Sequence, residues 1–161
     1  MTEDPLWLCG KGEAMSTVKQ LTERGWTAWF NRDIDAVMEF YAEDAELILP
    51  GSPPVKGKDA IRAAWQMYMT AFPDEHATEI RHLADGSTAI TEWTIAQTHT
   101  GPLVMPTGDE VPATGKAIKL SGATIAELEG DKVKRQAFYW DNADFLQQLG
   151  LIPMPDLVAA G

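Results

Sequence analysis

Two side chains that can carry a proton stand at the ends of predicted strands. His99 ends an alternating apolar run at residues 88–99, and Asp141 follows a second run at residues 132–140. A histidine changes its charge near neutral pH, and a carboxylate whose pKa is raised by burial can act as a general base. Each also has a structural explanation, because His99 could fix the loop that follows it and Asp141 could cap the next helix. These two residues are the candidate acid–base groups of the chain.

Other kinds of catalytic centre are not indicated. The histidines, His76, His82 and His99, show no His-x-His or His-x-x-x-His spacing, and Cys9 is the single cysteine. A metal site and an intramolecular disulfide are therefore not expected. The sequence also contains no P-loop, no dinucleotide fingerprint and no Gly-x-Ser-x-Gly nucleophile motif.

The charge balance limits the partners. The chain has 24 Asp and Glu against 13 Lys and Arg, which gives a formal net charge of −11 at pH 7. Such a field repels the phosphates of nucleic acids and of anionic membranes. No apolar run approaches the ~20 residues of a membrane-spanning helix, and the first residues lack the pattern of a signal peptide. We expect a cytoplasmic protein that binds a small molecule, with no nucleic-acid or membrane partner.

The elements that must position these residues are three helices followed by long strands. The first helix is predicted from residue 16, where Thr17 and Gln20 fit a capping box, and the second follows Asp33. The third helix follows Gly57 and ends at Pro73. Strands are predicted at residues 45–49, 76–84, 88–99, 116–128 and 132–140, and a last helix ends at Gly150.

This order of elements predicts an α+β fold. We expect a curved antiparallel sheet wrapped around the three N-terminal helices, which makes a cone with an internal pocket, and a short C-terminal helix. Residues 1–15 are expected to form a flexible N-terminal arm and residues 16–157 a single domain. Residues 100–115 are rich in Gly and Pro and are expected to form a long loop.

Aromatic residues are numerous enough to line such a pocket as well as to fill a core. On a strand, alternate side chains share a face, so Gln136, Phe138 and Trp140 point the same way. We expect walls made by rings, with Thr124 and Gln136 as hydrogen-bond donors to a substrate oxygen. The predicted pocket residues are Trp29, Tyr41, Trp93, Thr124, Gln136, Phe138 and Trp140.

Several short motifs resemble one family. They are Ala-Val-Met-Glu-Phe-Tyr-Ala-Glu-Asp-Ala at residues 36–45, Thr-His-Thr-Gly-Pro at 98–102, Pro-Ala-Thr-Gly-Lys at 112–116, Gly-Asp-Lys-Val at 130–133, Trp140-Asp141 and Gln-Leu-Gly-Leu at 148–151. In this order, over residues 18–153, they resemble the SnoaL-like polyketide cyclases of the nuclear transport factor 2-like superfamily. The resemblance implies the cone fold, a homodimer, and a cofactor-independent enzyme that closes a ring by intramolecular aldol condensation.

The same resemblance indicates a change of chemistry. The catalytic aspartate of the cyclases falls on Phe138 and their histidine on Thr124, and neither side chain here can serve as a base near pH 7. The sequence therefore predicts acid–base chemistry on a hydrophobic, polyketide-type carbonyl compound, with His99 and Asp141 as catalytic candidates. The alternatives are a non-catalytic binding protein, or another reaction on this scaffold such as isomerisation, hydroxylation or epoxide opening.

Overall fold

The computed structural model describes residues 9–153, with side chains from residue 17 onward. Its helices are α1 (Cys9–Phe30), α2 (Ile34–Glu39), α3 (Lys58–Ala71) and α4 (Asn142–Leu149). Its strands are β1 (Tyr41–Ile48), β2 (Val55–Lys56), β3 (His76–Asp85), β4 (Thr88–Thr98), β5 (Leu103–Val104), β6 (Glu110–Val111), β7 (Ala117–Glu129) and β8 (Lys132–Trp140). The predicted α+β fold is confirmed. Within these residues no helix is long and apolar enough to cross a membrane.

One main sheet of six strands carries the fold, in the order β2-β1-β8-β7-β4-β3. All neighbouring strands are antiparallel except β1 and β8, which run parallel. The sheet is antiparallel, as predicted, apart from this one pair. The reason is that α3 carries the chain from β1 across to the far edge of the sheet, from which it returns through β3, β4, β7 and β8.

The inner face of the sheet is set by the alternation within each strand. In β4 the residues with odd numbers are buried and those with even numbers are more exposed, as for Trp93 and Ile95 against Glu92. The hairpins turn at Gly86 and Gly130, whose φ values of 59° and 61° suit glycine, as the sequence indicates. The three clusters of buried apolar residues lie between this inner face and helices α1, α2 and α3, and α4 adds Phe145 and Leu149 to one of them.

Three elements differ from their predicted extents. Strand β1 begins at Tyr41 and not at residue 45. Helix α1 begins at Cys9 and not at residue 16, because helical backbone continues upstream of the apparent capping box at Thr17. The expected long loop at residues 100–115 contains a small antiparallel ribbon, in which Leu103 pairs with Val111. Residues 1–8 of the predicted arm and the end of the domain beyond residue 153 lie outside the described residues.

The end of α3 is held by the start of that connection. The amide N–H groups of Thr100 and Gly101 both donate to the carbonyl oxygen of Ala71, at 3.0 and 3.2 Å. A Cβ atom at Gly101 would lie 2.1 Å from the carbonyl oxygen of Thr70, so only glycine fits this contact. The contact fixes the last turn of α3, from which the chain continues towards β3.

We expect Gly101→Ala to lower the free energy of unfolding by about 2 kcal/mol or more, because the methyl group forces the loop away from α3. Urea denaturation followed by far-ultraviolet circular dichroism measures the change. Gly25→Ala is the control, since its Cβ would make an ordinary contact 3.7 Å from the Phe40 ring within a helix. The free energy of unfolding of this control should rise by up to ~1 kcal/mol. Equal effects of the two substitutions would show that the close approach of Gly101 to α3 does not matter for stability.

Candidate functional site

A cavity of about 120 Å³ lies between the inner face of the sheet and helices α1 and α3. Of the seven predicted pocket residues, its wall includes Trp29, Tyr41, Trp93, Gln136, Phe138 and Trp140. Thr124 is not in the wall. It is buried beside Trp93, whose indole N–H donates to the Thr124 hydroxyl at 2.9 Å. The cone therefore brings residues from both ends of the chain together around one space.

The wall is mostly aromatic. Trp29 and Trp65 meet edge to face with ring centroids 4.9 Å apart, and Trp65 contacts Phe138 at 5.3 Å. Trp93 and Trp140 lie 6.5 Å apart on neighbouring parts of the sheet. Such rings bind a flat apolar molecule through large contact areas and offset or edge-to-face packing.

A chain of hydrogen bonds crosses one side of this wall. The Trp65 indole N–H donates to the Tyr41 hydroxyl at 3.0 Å, and the Tyr41 hydroxyl donates to the side-chain oxygen of Gln136. Burial raises the pKa of Tyr41 far above its ordinary value, so the phenol stays protonated. The amide nitrogen of Gln136 has no hydrogen-bond partner among the described residues, which leaves it able to bind a ligand oxygen.

One carboxylate in the wall was not anticipated from the sequence. Glu75 is only 6% exposed, and its Oε1 accepts a hydrogen bond from the Trp29 indole N–H at 2.5 Å. Burial raises the pKa of the Glu75 carboxyl from an ordinary 4.5 to about 7, although the Trp29 hydrogen bond and the positive charge of Arg32 act in the opposite direction. A group with this pKa can both accept and return a proton near neutral pH.

Glu75 is placed by a short turn between α3 and β3. Pro73 follows the end of α3, and the Glu75 amide N–H points back to the Phe72 carbonyl oxygen at 3.4 Å. The Asp74 carboxylate accepts from the Thr98 amide at 2.7 Å and from the Thr98 hydroxyl at 2.6 Å. Asp74 thus ties the turn to the end of β4 while the next side chain enters the cavity.

Two buried atoms in the cavity wall have no partner among the described residues. They are Oε2 of Glu75 and the indole nitrogen Nε1 of Trp140. Buried polar atoms are nearly always hydrogen-bonded in folded proteins, so an unpaired acceptor and an unpaired donor in one cavity indicate a ligand. A molecule that offers a proton to Glu75 and an oxygen to Trp140 would satisfy both.

Tyr68 adds a further neutral donor beside Glu75. Its hydroxyl exchanges hydrogen bonds with the Gln97 side chain, with distances of 2.9 and 3.2 Å. Burial and the nearby Glu75 charge both raise the pKa of Tyr68, so it remains a phenol at any physiological pH. Tyr68 can donate a hydrogen bond but is not a base.

The two predicted acid–base residues lie away from this wall. His99 is fully buried against the Phe72 ring, and its Nδ1 contacts the Thr114 hydroxyl at 3.1 Å and the Thr114 amide at 3.2 Å. Burial lowers the pKa of His99, and the ring ties together the two ends of the 100–115 connection. Its Nε2 is buried and has no hydrogen-bond partner within residues 17–153.

Asp141 is exposed and stands at the start of α4. Its Oδ1 accepts from the amide groups of Ala143 and Asp144, each at 3.0 Å, which is the geometry of a helix N-cap. The structure does not bring Asp141 and His99 together, and their catalytic roles remain predictions.

Sequence alone does not separate Glu75 from its neighbour. Asp74 and Glu75 are adjacent acids after a proline, in a segment that reads as a solvated turn, yet Asp74 is exposed and Glu75 is buried. The difference depends on the docking of α1 over the turn, which no local pattern encodes. Across the described residues no cluster of side chains suits a metal ion.

Comparison with known proteins identifies the scaffold. The chain matches the SnoaL-like domain family over residues 22–136. Among curated proteins no match is found. The matched range ends at Gln136 and includes Glu75, helices α2 and α3 and the last part of α1.

Solved structures share the fold at low sequence identity. A Jannaschia sp. CCS1 protein named as a SnoaL-like polyketide cyclase superposes with a TM-score of 0.76 at 14% identity, over 95% of this chain and 99% of its own. AclR of Streptomyces galilaeus, named as a hydroxylase, gives 0.72 at 21% identity, over 89% and 88%. An LEH-like epoxide hydrolase of M. tuberculosis gives 0.65 at 17%, over 84% and 90%. These likenesses show the nuclear transport factor 2-like fold, which supports several chemistries.

The buried carboxyl predicts an unusual pH dependence of stability. A folded-state pKa of about 7 against 4.5 means that the Glu75 contribution is fully present below pH 4.5 and is lost as the pH rises through 7. Between about pH 5.5 and 8 this loss amounts to about 2 kcal/mol. Glu75→Gln should remove it, so the free energy of unfolding of the variant relative to wild type should rise with pH.

Urea denaturation across this pH range measures the difference. Asp74→Asn is the matched control, because Asp74 is exposed and the pKa of its carboxyl is lowered by its bonds to Thr98. The difference in free energy of unfolding between Asp74→Asn and wild type should not grow above pH 6. A difference between Glu75→Gln and wild type that stays constant with pH would show that the carboxyl is not perturbed.

Proposed function

This chain belongs to the SnoaL-like domain family, and from that premise we propose that it is a cofactor-independent enzyme that moves a proton on a hydrophobic carbonyl compound of polyketide type. The observation that carries this proposal is the Glu75 carboxylate, buried in an aromatic cavity with its pKa raised to about 7 and one oxygen unpartnered. Perturbed carboxylates in such cavities are typical of general acid–base groups.

The reaction step uses the unpaired polar atoms of two residues that line the cavity. Oε2 of Glu75 removes a proton from the carbon next to the carbonyl, and the electron pair of that C–H bond moves to form an enolate. The Trp140 indole N–H, which otherwise lacks a partner, donates to the enolate oxygen. If the Glu75 carboxyl first exchanges its proton with solvent and then protonates the same carbon, the net reaction is hydrogen exchange, and protonation of a conjugated carbon gives isomerisation. Alternatively, the enolate carbon attacks a second carbonyl of the substrate, which closes a ring, and the Glu75 carboxyl gives its proton to the alkoxide oxygen that forms.

The rest of the wall supports a neutral substrate. Tyr41 and Tyr68 remain protonated, and the nearby Gln136 amide can bind a second oxygen. The resemblance to the cyclases predicts that Phe138 stands in the position of their aspartate, and the proton acceptor proposed here comes from the α3–β3 turn instead of from β8. His99 and Asp141 stay in the proposal as rival proton carriers that the same assay tests.

We expect the wild-type protein to catalyse hydrogen–deuterium exchange at the α-carbons of 2-indanone, a flat bicyclic ketone. Proton NMR in D₂O follows the loss of the α-proton signal. Glu75→Gln should lower the protein-catalysed rate by about 100-fold or more, because it keeps the shape of the side chain but removes the base. Trp140→Phe should lower the rate by about 100-fold through loss of the donor to the enolate oxygen.

His99→Gln and Asp141→Asn serve as the matched comparisons and should keep exchange, because neither residue contributes to the cavity wall. Wild-type exchange in Glu75→Gln would contradict the proposal, and loss of exchange in His99→Gln alone would transfer the role to that histidine. Quenching of tryptophan fluorescence by 2-indanone without any catalysed exchange would identify a non-catalytic binding protein instead.

We also propose that two copies associate through the outer face of the sheet. Leu83 and Ile90 are paired across β3 and β4 and are 51% and 41% exposed, and Tyr139 of β8 lies on the same face. Exposed apolar side chains grouped on one sheet face are typical of an interface.

The mass in solution tests this proposal. Sedimentation equilibrium should give twice the chain mass of 17.7 kDa for wild type, and the double variant Leu83→Glu, Ile90→Glu should be monomeric. Val104→Glu, a change at another exposed apolar residue away from this face, should remain dimeric. A monomeric wild type at all concentrations would refute the association.

A further inference from the structure

Arg32 adopts a backbone conformation that arginine rarely takes. Its φ is 60°, and it is the single non-glycine residue with positive φ among those the structure describes. The left-handed region is costly for side chains with a Cβ atom and is normally left to glycine or asparagine. A residue kept in this conformation invites a functional explanation.

The position is the end of helix α1. The amide of Asp33 donates to the Ala28 carbonyl at 3.1 Å and the amide of Arg32 donates to the Trp29 carbonyl at 3.0 Å, which together form a Schellman motif. Arg32 occupies the place in this motif where glycine is preferred. Asp33 also caps α2, so helix α1 ends and α2 begins within three residues.

The Arg32 side chain makes a contact that a glycine at this position could not make. Its Nη2 donates to the carbonyl oxygen of Phe72, the residue that caps the end of α3. The same carbonyl oxygen accepts the amide N–H of Glu75. Arg32 therefore holds the α3–β3 turn that carries the Glu75 carboxylate. Trp29, three residues earlier in the chain, donates a hydrogen bond to the carboxylate directly.

The cluster is not a closed structural network. Arg32 Nη1 and Glu75 Oε2 are both buried, and neither has a hydrogen-bond partner among the described residues. Arg32 nevertheless acts on Glu75 through its charge, which lowers the pKa of the carboxyl. A guanidinium that served only to tie two helices would be expected to use its buried N–H groups fully.

We propose that Arg32 is a positioning residue for Glu75, placed at a glycine position because its guanidinium fixes the turn that carries the carboxylate and supplies the positive charge beside it. This inference rests on the proposed function for its catalytic meaning. Its physical content, a coupling between Arg32 and Glu75, can be measured without any substrate. Arg32 belongs to the loop between α1 and α2, outside the cavity wall, and acts through Glu75.

Other charged groups near Glu75 must be considered in any pH measurement. Asp74 raises the pKa of Glu75 and His76 lowers it, both from the same turn. From α3, Tyr68 remains neutral. Arg32 is the charged group that approaches from the loop between α1 and α2, so its replacement changes the electrostatics without changing the sequence of the Glu75 turn.

The test compares the pH dependence of urea denaturation in Arg32→Gln, Arg32→Gly and Arg32→Lys, each with and without Glu75→Gln. The titration of Glu75 is read from the difference in free energy of unfolding between each protein and the same protein carrying Glu75→Gln. The midpoint of this difference should move to higher pH in Arg32→Gln and Arg32→Gly. It should move least in Arg32→Lys, which keeps the charge. Arg32→Gly relieves the backbone strain, so it controls for loss of folding.

If the Glu75 titrations in Arg32→Gln and Arg32→Gly overlap with that of wild type, the inference is overturned. Arg32 would then serve only to end helix α1. Exchange on 2-indanone gives a separate readout, in which Arg32→Gln should reduce kcat with little change in KM. If the Glu75 transition moves but no protein catalyses exchange, the coupling stands and the proposed reaction fails. If exchange is catalysed by Glu75 and the transition does not move, the proposed reaction stands and the coupling fails.

Discussion

One carboxylate is buried in an aromatic cavity, and the rest of the site must hold it there. Removing a carboxylate from water favours its neutral form, and a single indole N–H does not compensate for that loss. Glu75 is thereby held with a pKa near 7, which is costly for the fold at higher pH and useful for proton transfer. A site of this kind persists only if surrounding structure fixes the group, since an unconstrained glutamate would turn out to solvent.

Three element ends provide that fixation. The C-terminus of α1 contributes Trp29 and Arg32, the C-terminus of α3 contributes the Phe72 carbonyl, and the end of β4 receives Asp74 through Thr98. Gly101 lets the following connection approach α3 closely enough to hold the same helix end. The geometry of Glu75 therefore depends on contacts between segments that are far apart along the chain, with a separation of 24 residues for Thr98 and Asp74 and of 46 residues for Trp29 and Glu75.

Much of the fold was predictable because its signals are local. Alternation fixed the long strands, Asp33 and Asp141 identified helix starts, and glycines marked the hairpins. The aromatic wall was predictable for the same reason, since Gln136, Phe138 and Trp140 share one face of β8. The parallel pairing of β1 with β8 and the burial of Glu75 were not predictable, because both depend on how distant elements dock. An acidic residue in a turn gives no local sign that a tryptophan from another helix will cover it.

The measurement that tests the central claim most directly is the titration of the Glu75 carboxyl by ¹³C NMR in wild-type protein, with its signal assigned by its absence in Glu75→Gln. The account predicts a midpoint near pH 7, well above the ordinary glutamate value of 4.5. A midpoint near 4.5 would show that the carboxylate is solvated and ionised at neutral pH, and Glu75 could not then be the acid–base group of this cavity.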